Sequence, residues 1–222
     1  MGIKKYITKQ LVGNKMATTK EEVLGLLYKQ LNSFFDISIN EKNEIEEVID
    51  CVLDKCAFNF SKSESKYFQN GFNAYHSVMY MIFLYYLSNV IYKRKIVLEL
   101  CDKIYYLNKI MHSVDLFYAI ELPDVFSAEH PLSSVMGRAQ YGNGFFFYQS
   151  CTVGGTRDKE GNVYYPIIGN NVRMYSNSSI LGKCHIGNNV KIGAGAIVKN
   201  QDVPDNCTVF GESPNLIIKT HK

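Results

Sequence analysis

An apolar residue returns at every sixth position through most of the second half of this chain. A six-residue unit supplies one short strand and one turn, so about three units complete a triangular coil, and each apolar side chain points inward. A β-sandwich would instead alternate apolar and polar residues with a period of two. The pattern therefore predicts a β-solenoid, with these inward positions: Val135, Tyr141, Phe147, Val153, Ile168, Met174, Ile180, Ile186, Ile192 and Val198.

The series is interrupted once. Val153 and Ile168 are fifteen positions apart instead of six, which leaves nine extra residues between them. These residues must leave the coil, and we expect an extruded loop over 154–167. Loops held on a rigid scaffold are common places for binding and catalysis.

The first half has a helical period. Thr18 or Thr19, followed three residues later by Glu21 or Glu22, is typical of a capping box, and apolar residues then recur at steps of three and four. Further helices are expected from Ser38 onward, over about 66–92, where Gly71 is taken to be tolerated inside the helix, and over about 94–112. We therefore predict an α+β chain, with an α-helical domain over 1–112 and a β-helix domain over 113–222 that ends in a tail.

Composition excludes several classes of function. The 24 Lys and Arg against 21 Asp and Glu give a net charge of +3, which is too small to favour nucleic acid as a partner. The first sixteen residues hold no apolar stretch typical of a secretory signal, and the six cysteines lack metal or disulfide spacing. The apolar window 78–92 is too short to span a bilayer. We expect a cytoplasmic chain with no membrane contact and no metal site.

Four motifs stand out in and around the repeats. Asp115 precedes His130 by fifteen positions, the run 149–156 reads Gln-Ser-Cys-Thr-Val-Gly-Gly-Thr, 192–196 reads Ile-Gly-Ala-Gly-Ala, and 209–214 reads Val-Phe-Gly-Glu-Ser-Pro. With these motifs the chain resembles the serine acetyltransferases of the hexapeptide-repeat acyltransferase family. The resemblance implies a left-handed parallel β-helix, assembly into a homotrimer or a dimer of trimers, and acetyl-CoA as acyl donor to a small hydroxyl acceptor.

The resemblance also implies roles for individual residues. His130 holds the position of the general base, and Asp115 holds that of the carboxylate that orients it; fifteen residues place the two nearly one coil apart. Glu129 and, on the helical half, Asp54 match acidic positions that hold the acceptor. Backbone groups of the cofactor-binding positions would face the pantetheine arm of acetyl-CoA, and an N–H of the glycine pair would stabilise the oxyanion: Gly154, Gly155, Thr156, Ser176 and Ala194.

One departure concerns the acceptor. The family carries Arg-His-Pro just after the extruded loop, where this chain has Tyr164, Tyr165 and Pro166. Loss of the arginine removes a bidentate partner for an amino-acid carboxylate, whereas tyrosines suit the flat C–H faces and hydroxyls of a sugar. Three functions stay open: a serine O-acetyltransferase, a sugar O- or N-acetyltransferase of surface-polysaccharide synthesis, and a trimeric β-helix scaffold without catalysis.

Overall fold

The computed structural model describes residues 17–63, 67–68, 70–95 and 97–221. The expectation about a secretory signal concerns the first sixteen residues and lies outside these ranges. Within the described ranges, no helix is long and apolar enough to cross a membrane. The described part of the first half contains four helices: α1 Lys20–Phe34, α2 Ile39–Ser61, α3 Ser77–Arg94 and α4 Leu98–His112.

Side chains at their first turns fix where the first two helices begin. Thr19 accepts a hydrogen bond from the Glu22 backbone, and the Glu22 carboxylate accepts one from the Thr19 N–H in return. Ser38 and Glu41 form the same reciprocal pair at the start of α2. Both capping boxes satisfy backbone N–H groups that would otherwise lack a partner. The sequence predicted the first box, at Thr18 or Thr19, and a helix starting after Ser38.

The third helix begins later than predicted. Gly71 has a φ of +79°, a left-handed conformation that a helix interior does not contain, and the described residues 67–68 and 70–76 are not helical. The helix starts at Ser77, where the ring Nδ1 of His76 accepts from the Met79 N–H at 3.4 Å. The prediction of a helix from about residue 66 was therefore wrong at its beginning.

Parallel strands from residue 114 onward stack into three walls of a prism. Sheet A has the order β1-β3-β6-β11-β14, sheet B β2-β5-β10-β13-β15-β16, and sheet C β4-β9-β12. This arrangement confirms the predicted fold class, a helical half followed by a parallel β-helix. The strands are β1 Val114–Leu116, β2 Phe126–Ala128, β3 Ser134–Met136, β4 Gln140–Tyr141, β5 Phe145–Phe147, β6 Thr152–Gly154, β7 Thr156–Arg157, β8 Val163–Tyr164, β9 Ile167–Ile168, β10 Arg173–Met174, β11 Ser179–Leu181, β12 His185–Ile186, β13 Lys191–Ile192, β14 Ile197–Lys199, β15 Cys207–Phe210 and β16 Ile217–Thr220.

The repeat positions fill the interior of the prism, with one exception. Phe147, Met174 and Ile192 are fully buried and stack in register along sheet B. Val135, in contrast, is 41 % exposed, and the inward residue of β3 is Met136, which pairs with Val153. Met136 and Tyr141 are only five positions apart, so this unit is one residue short. Counting six positions back from Tyr141 therefore gives Val135 instead of Met136.

Asparagines hold the corner between sheets C and B. The side-chain oxygen of Asn170 accepts from the Asn143 N–H, Asn188 accepts from Asn170, and Asp205 accepts from Asn188, at 2.7 to 2.9 Å. Each coil therefore satisfies a backbone donor of its neighbour at a turn where no strand pairing is available.

The helical half is tied to the prism through α3. The Tyr85 hydroxyl donates to the Ile120 carbonyl at 2.7 Å and accepts from the Leu122 N–H at 2.9 Å. The Asn89 amide donates to the carbonyls of Tyr118 and Ile120 at 2.8 and 3.3 Å. These bonds fix the segment between β1 and β2.

Candidate active site

The edge where sheet B turns into sheet A, here called the B–A edge, brings four of the predicted site residues into one column. Glu129 and His130 lie in its first turn, Ser176 in its third and Ala194 in its fourth. The Gly195 N–H donates to the Ser176 carbonyl at 2.9 Å, so the turns stack directly on one another.

His130 stands exposed at the top of this edge. It follows β2 in a left-handed conformation, with φ 50°, and its side chain is 77 % accessible. The ring Nε2 lies 3.9 Å from the Glu129 Oε1, which is too long for a hydrogen bond. Partial burial and then a hydrogen bond to Glu129 raise the pKa of Tyr148, so this phenol stays protonated and donates to the same carboxylate.

Asp115 lies on β1, beside the strand that follows His130. Val114 pairs with Ser134, and the Ser133 N–H donates to the Ser113 carbonyl at 2.7 Å. The carboxylate itself is bonded to the helical half. Its Oδ1 accepts from the Tyr105 hydroxyl at 2.7 Å and its Oδ2 from the Lys109 ammonium at 2.9 Å.

The predicted pair of Asp115 and His130 is therefore brought to adjacent strands but not into contact. No hydrogen bond or ion pair joins these two described side chains. The carboxylate nearest to the imidazole is that of Glu129. The role of Asp115 as the group that orients His130 stays a prediction.

The glycine motif lies at the other edge of sheet A. The Gly154 carbonyl accepts from the Gly182 N–H at 2.9 Å, and the Thr156 hydroxyl donates to Asn200 Oδ1 at 3.0 Å. Gly155 is needed here because a Cβ would come within 2.8 Å of the Tyr165 ring. The glycine motif and Ser176 thus flank the outer face of sheet A rather than forming one pocket.

The extra residues leave the coil, as the interrupted period predicts, and the structure shows that they form a hairpin. Strands β7 and β8 pair antiparallel, and the Asp158 carboxylate closes their turn by accepting from the Asn162 side chain and from the N–H groups of Glu160 and Asn162. These bonds, the Asn162 side chain first, lower the pKa of Asp158. Tyr164 donates its hydroxyl to the same carboxylate at 3.1 Å, whereas Tyr165 is 41 % exposed.

Asp54 occupies a different region. It lines a shallow recess of about 400 Å³ between α2, α3 and the start of β2, together with Lys55, Tyr86 and Asp124. None of the other predicted site residues, all of which the structure describes, lines this recess. Within one chain, Asp54 therefore does not lie at the B–A edge, and its role in binding the acceptor stays a prediction.

Comparisons with known proteins agree with this architecture. The family described as bacterial transferase hexapeptide (six repeats) matches residues 165–200. A serine acetyltransferase of Synechococcus elongatus is 33 % identical over 116 residues, which are 52 % of this chain and 47 % of that protein. This chain therefore spans about half the length of that relative.

Two solved structures extend the likeness to the helical half. A serine acetyltransferase of Neisseria gonorrhoeae superposes with a TM-score of 0.69 and 26 % identity, covering 90 % of this chain and 80 % of that one. A serine acetyltransferase in complex with CoA gives a TM-score of 0.71 at 20 % identity, over 89 % of this chain and 84 % of that one, which is a likeness of fold.

In its repeat sequence and its fold the chain is similar to these serine acetyltransferases. The sequence did not reveal the hydrogen-bond partners of the two acidic residues, which are Tyr105 and Lys109 for Asp115 and Tyr148 for Glu129. Tyr105 and Lys109 are four residues apart on α4, a spacing that puts them on one helix face, but nothing in the sequence shows what that face meets. Among the residues that the structure describes, no three His, Cys, Asp or Glu side chains form a cluster that could hold a metal ion.

Proposed function

We propose that this chain is an acetyl-CoA-dependent O-acetyltransferase that acetylates the hydroxyl of L-serine, with His130 as general base. The observation that carries the proposal is the exposed imidazole of His130 on the same edge as Ser176 and Ala194. The name of the Synechococcus relative and the fold shared with the gonococcal serine acetyltransferase support the choice of reaction.

The proposed reaction is a direct transfer. The acceptor oxygen attacks the thioester carbonyl while His130 takes the hydroxyl proton, and the tetrahedral intermediate then collapses by breaking the carbon–sulfur bond. The thiolate of CoA leaves and receives the proton from His130, so atoms and charges balance without an acyl-enzyme. A base in this position contributes roughly 10²- to 10⁴-fold to the rate.

Two carboxylates serve the base in this proposal. Glu129 lies beside the imidazole, where it stabilises the ring when it carries the proton and can accept a hydrogen bond from the acceptor. Asp115 lies one strand away and would orient the ring once acceptor and acetyl-CoA are bound, since catalytic hydrogen bonds often tighten only in the complex. Glu129 therefore offers the nearer negative charge and Asp115 the orienting one.

The donor would lie along the outer face of sheet A. Gly155 on one side, with Ser176 and Ala194 on the other, would present backbone amides and carbonyls to the pantetheine arm, and Thr156 would stand at the base of the hairpin. An N–H of the pair Gly154 and Gly155 would face the oxyanion. This face also carries exposed Val135, which suits a neighbouring subunit, and we propose a homotrimer or a dimer of trimers in which the acceptor sits near the subunit boundary.

A sugar acceptor is the second candidate. The exposed ring of Tyr165, packed beside Gly155, presents a flat aromatic face of the kind that packs on sugar C–H groups. The Tyr164 hydroxyl is occupied by Asp158, so Tyr165 alone would provide this contact. A scaffold without catalysis is the third outcome, favoured by the lack of contact between Asp115 and His130.

The experiment is a steady-state assay of CoA release with L-serine, amino sugars and hydroxyl sugars as acceptors. We expect the highest kcat/KM with L-serine and a drop of at least about 100-fold in kcat for His130→Ala, with unchanged affinity for CoA. His185→Ala is the matched control, because His185 is also exposed but lies in sheet C. Greater activity on a sugar would select the second candidate, and no acceptor-dependent release would select the scaffold.

A further inference from the structure

A small cluster at the end of α4 holds the proposed orienting carboxylate. The Asp115 carboxylate binds Tyr105 and Lys109, and the ammonium of Lys109 also lies 3.2 Å from the Tyr105 hydroxyl. The three groups therefore form a closed triangle in which both donors point at one carboxylate. Helix α4 ends at His112, so the cluster joins the helical half to the first coil.

The base of the cluster is rigid. The Tyr105 ring packs edge-on against Phe117 at 5.3 Å and against Tyr118 at 6.2 Å between ring centres. The Tyr118 hydroxyl in turn donates to Asp102 on α4 at 2.8 Å. Because Tyr105 is fixed by aromatic neighbours on β-helix residues, the hydroxyl that it directs at Asp115 is fixed as well.

The charges in the cluster cancel. A hydrogen bond to Asp115, then one to Tyr105, raises the pKa of Lys109, so the ammonium stays charged through neutral pH. Burial, and next the bond to Asp115, raises the pKa of Tyr105, so the phenol stays neutral and donates. The carboxylate of Asp115 is thus paired with one full positive charge at 2.9 Å.

We propose that Lys109 is a positioning residue that fixes the direction of the Asp115 carboxylate and offsets its charge, and so sets the proton affinity of His130. This inference rests on the proposed function, in which Asp115 orients His130. Among the described residues, the carboxylate within 4 Å of the His130 ring is that of Glu129, which accepts a hydrogen bond from Tyr148. Asp115 lies on the strand next to the one that follows His130, and Lys109 offsets its charge, whereas no cation is paired with Glu129 in the described part of the chain.

Removal of Lys109 changes this balance in a defined direction. In Lys109→Met, Asp115 and Glu129 both present negative charge to the imidazole, so the protonated ring is stabilised and His130 holds its proton to higher pH. One unit charge at a distance of one or two strand spacings, about 5–10 Å, shifts the pKa of a group in partly hydrated protein by about half a unit or more. The acid limb of kcat/KM should move upward by the same amount, and Lys109→Arg should leave it in place.

The test measures the titration of His130 directly by NMR of the ring Cε1–H, with His130→Ala to assign the resonance, and compares the pH profile of kcat/KM. Lys93→Met is the matched control, because Lys93 also forms a 2.7 Å ion pair, with Glu121, away from His130. Lys109→Gln replaces Lys109→Met if that variant does not fold.

We expect the pKa of His130 to rise in Lys109→Met and to stay unchanged in Lys109→Arg and Lys93→Met. An unchanged pKa in Lys109→Met overturns the inference. Because the NMR titration needs no turnover, this result is distinct from failure of the proposed function, which would appear as full activity in His130→Ala or as no activity in the wild type.

Discussion

The hydroxyl of Tyr85 offers a direct test of how the helical half holds the segment that leads into the candidate site. Tyr85 is 1 % exposed on α3, and its hydroxyl bonds both the Ile120 carbonyl and the Leu122 N–H. This segment joins β1, which carries Asp115, to the strand before His130. In Tyr85→Phe the ring stays and only the hydroxyl is lost, so packing changes little.

The cost follows from which partners lose their bond. The Ile120 carbonyl keeps a second donor, the Asn89 amide at 3.3 Å, whereas the Leu122 N–H has no other acceptor among the residues that the structure describes. An unsatisfied buried donor costs about 1–3 kcal/mol, so we expect the free energy of unfolding to fall by about 2 kcal/mol. For a chain of this length that is a decrease of about 4–8 °C in Tm.

Urea unfolding followed by far-UV circular dichroism measures the effect, with thermal unfolding as a second readout. Tyr80→Phe is the matched control, because its hydroxyl donates to the side chain of Gln30, which can turn toward water instead. We expect Tyr80→Phe to lose clearly less stability than Tyr85→Phe. An equal loss in the two variants would refute the argument that the cost comes from the unsatisfied backbone N–H of Leu122.

Three further predictions concern the core and the glycine motif. Burial lowers the pKa of His112 from 6.5 to about 4, so as the pH falls the unfolded chain takes up this proton before the folded chain does. The contribution of His112 to stability is therefore complete above pH 6.5, and the free energy of unfolding falls by about 3 kcal/mol toward pH 4. His112→Gln should flatten this pH dependence in urea titrations at several pH values. Met136→Ala should lower the free energy of unfolding by about 2–5 kcal/mol in urea, and Val135→Ala by less than about 0.5 kcal/mol. Equal losses would contradict the assignment of Met136 instead of Val135 as the inward residue. Gly155→Val should raise KM for acetyl-CoA severalfold in the CoA-release assay, because its side chain would push the Tyr165 ring out of place, and an unchanged KM would remove Gly155 from the donor site.

The sequence predicted those features that depend on local pattern. The six-residue period identified the inward side chains of nearly every coil because each unit repeats one strand and one turn. The capping box at Thr18 or Thr19 and the helix start after Ser38 depend on residues a few positions apart and were equally visible. The extruded loop followed from counting the residues between Val153 and Ile168, whereas its pairing into a hairpin did not.

Other features depend on tertiary context. Gly71 fits a helical pattern by neighbouring residue types, but its left-handed φ ends any helix there. Met136 replaces Val135 inside the prism because one unit lacks a residue, and the strand register decides which side chain faces inward. The attachment of Asp115 to Lys109 depends on how α4 meets β1, which no local period encodes.

The tail that ends the β-helix domain contains a strand that the sequence did not predict. Strand β16 pairs antiparallel with β15 from Cys207 to Phe210. His221 adds a 2.7 Å contact between its Nε2 and the Thr208 hydroxyl. The sequence of β16, Ile-Ile-Lys-Thr, shows neither the helical period nor the six-residue repeat. It forms a strand because the edge of sheet B at β15 is open for pairing.

A crystal structure of the chain with bound CoA is the most direct test of the proposal that the B–A edge performs acetyl transfer. The account predicts that the CoA sulfur lies beside the His130 imidazole, with the pantetheine arm along the outer face of sheet A between Gly155 and Ser176. CoA bound in the recess around Asp54, or on another wall of the prism with its sulfur far from His130, would contradict it.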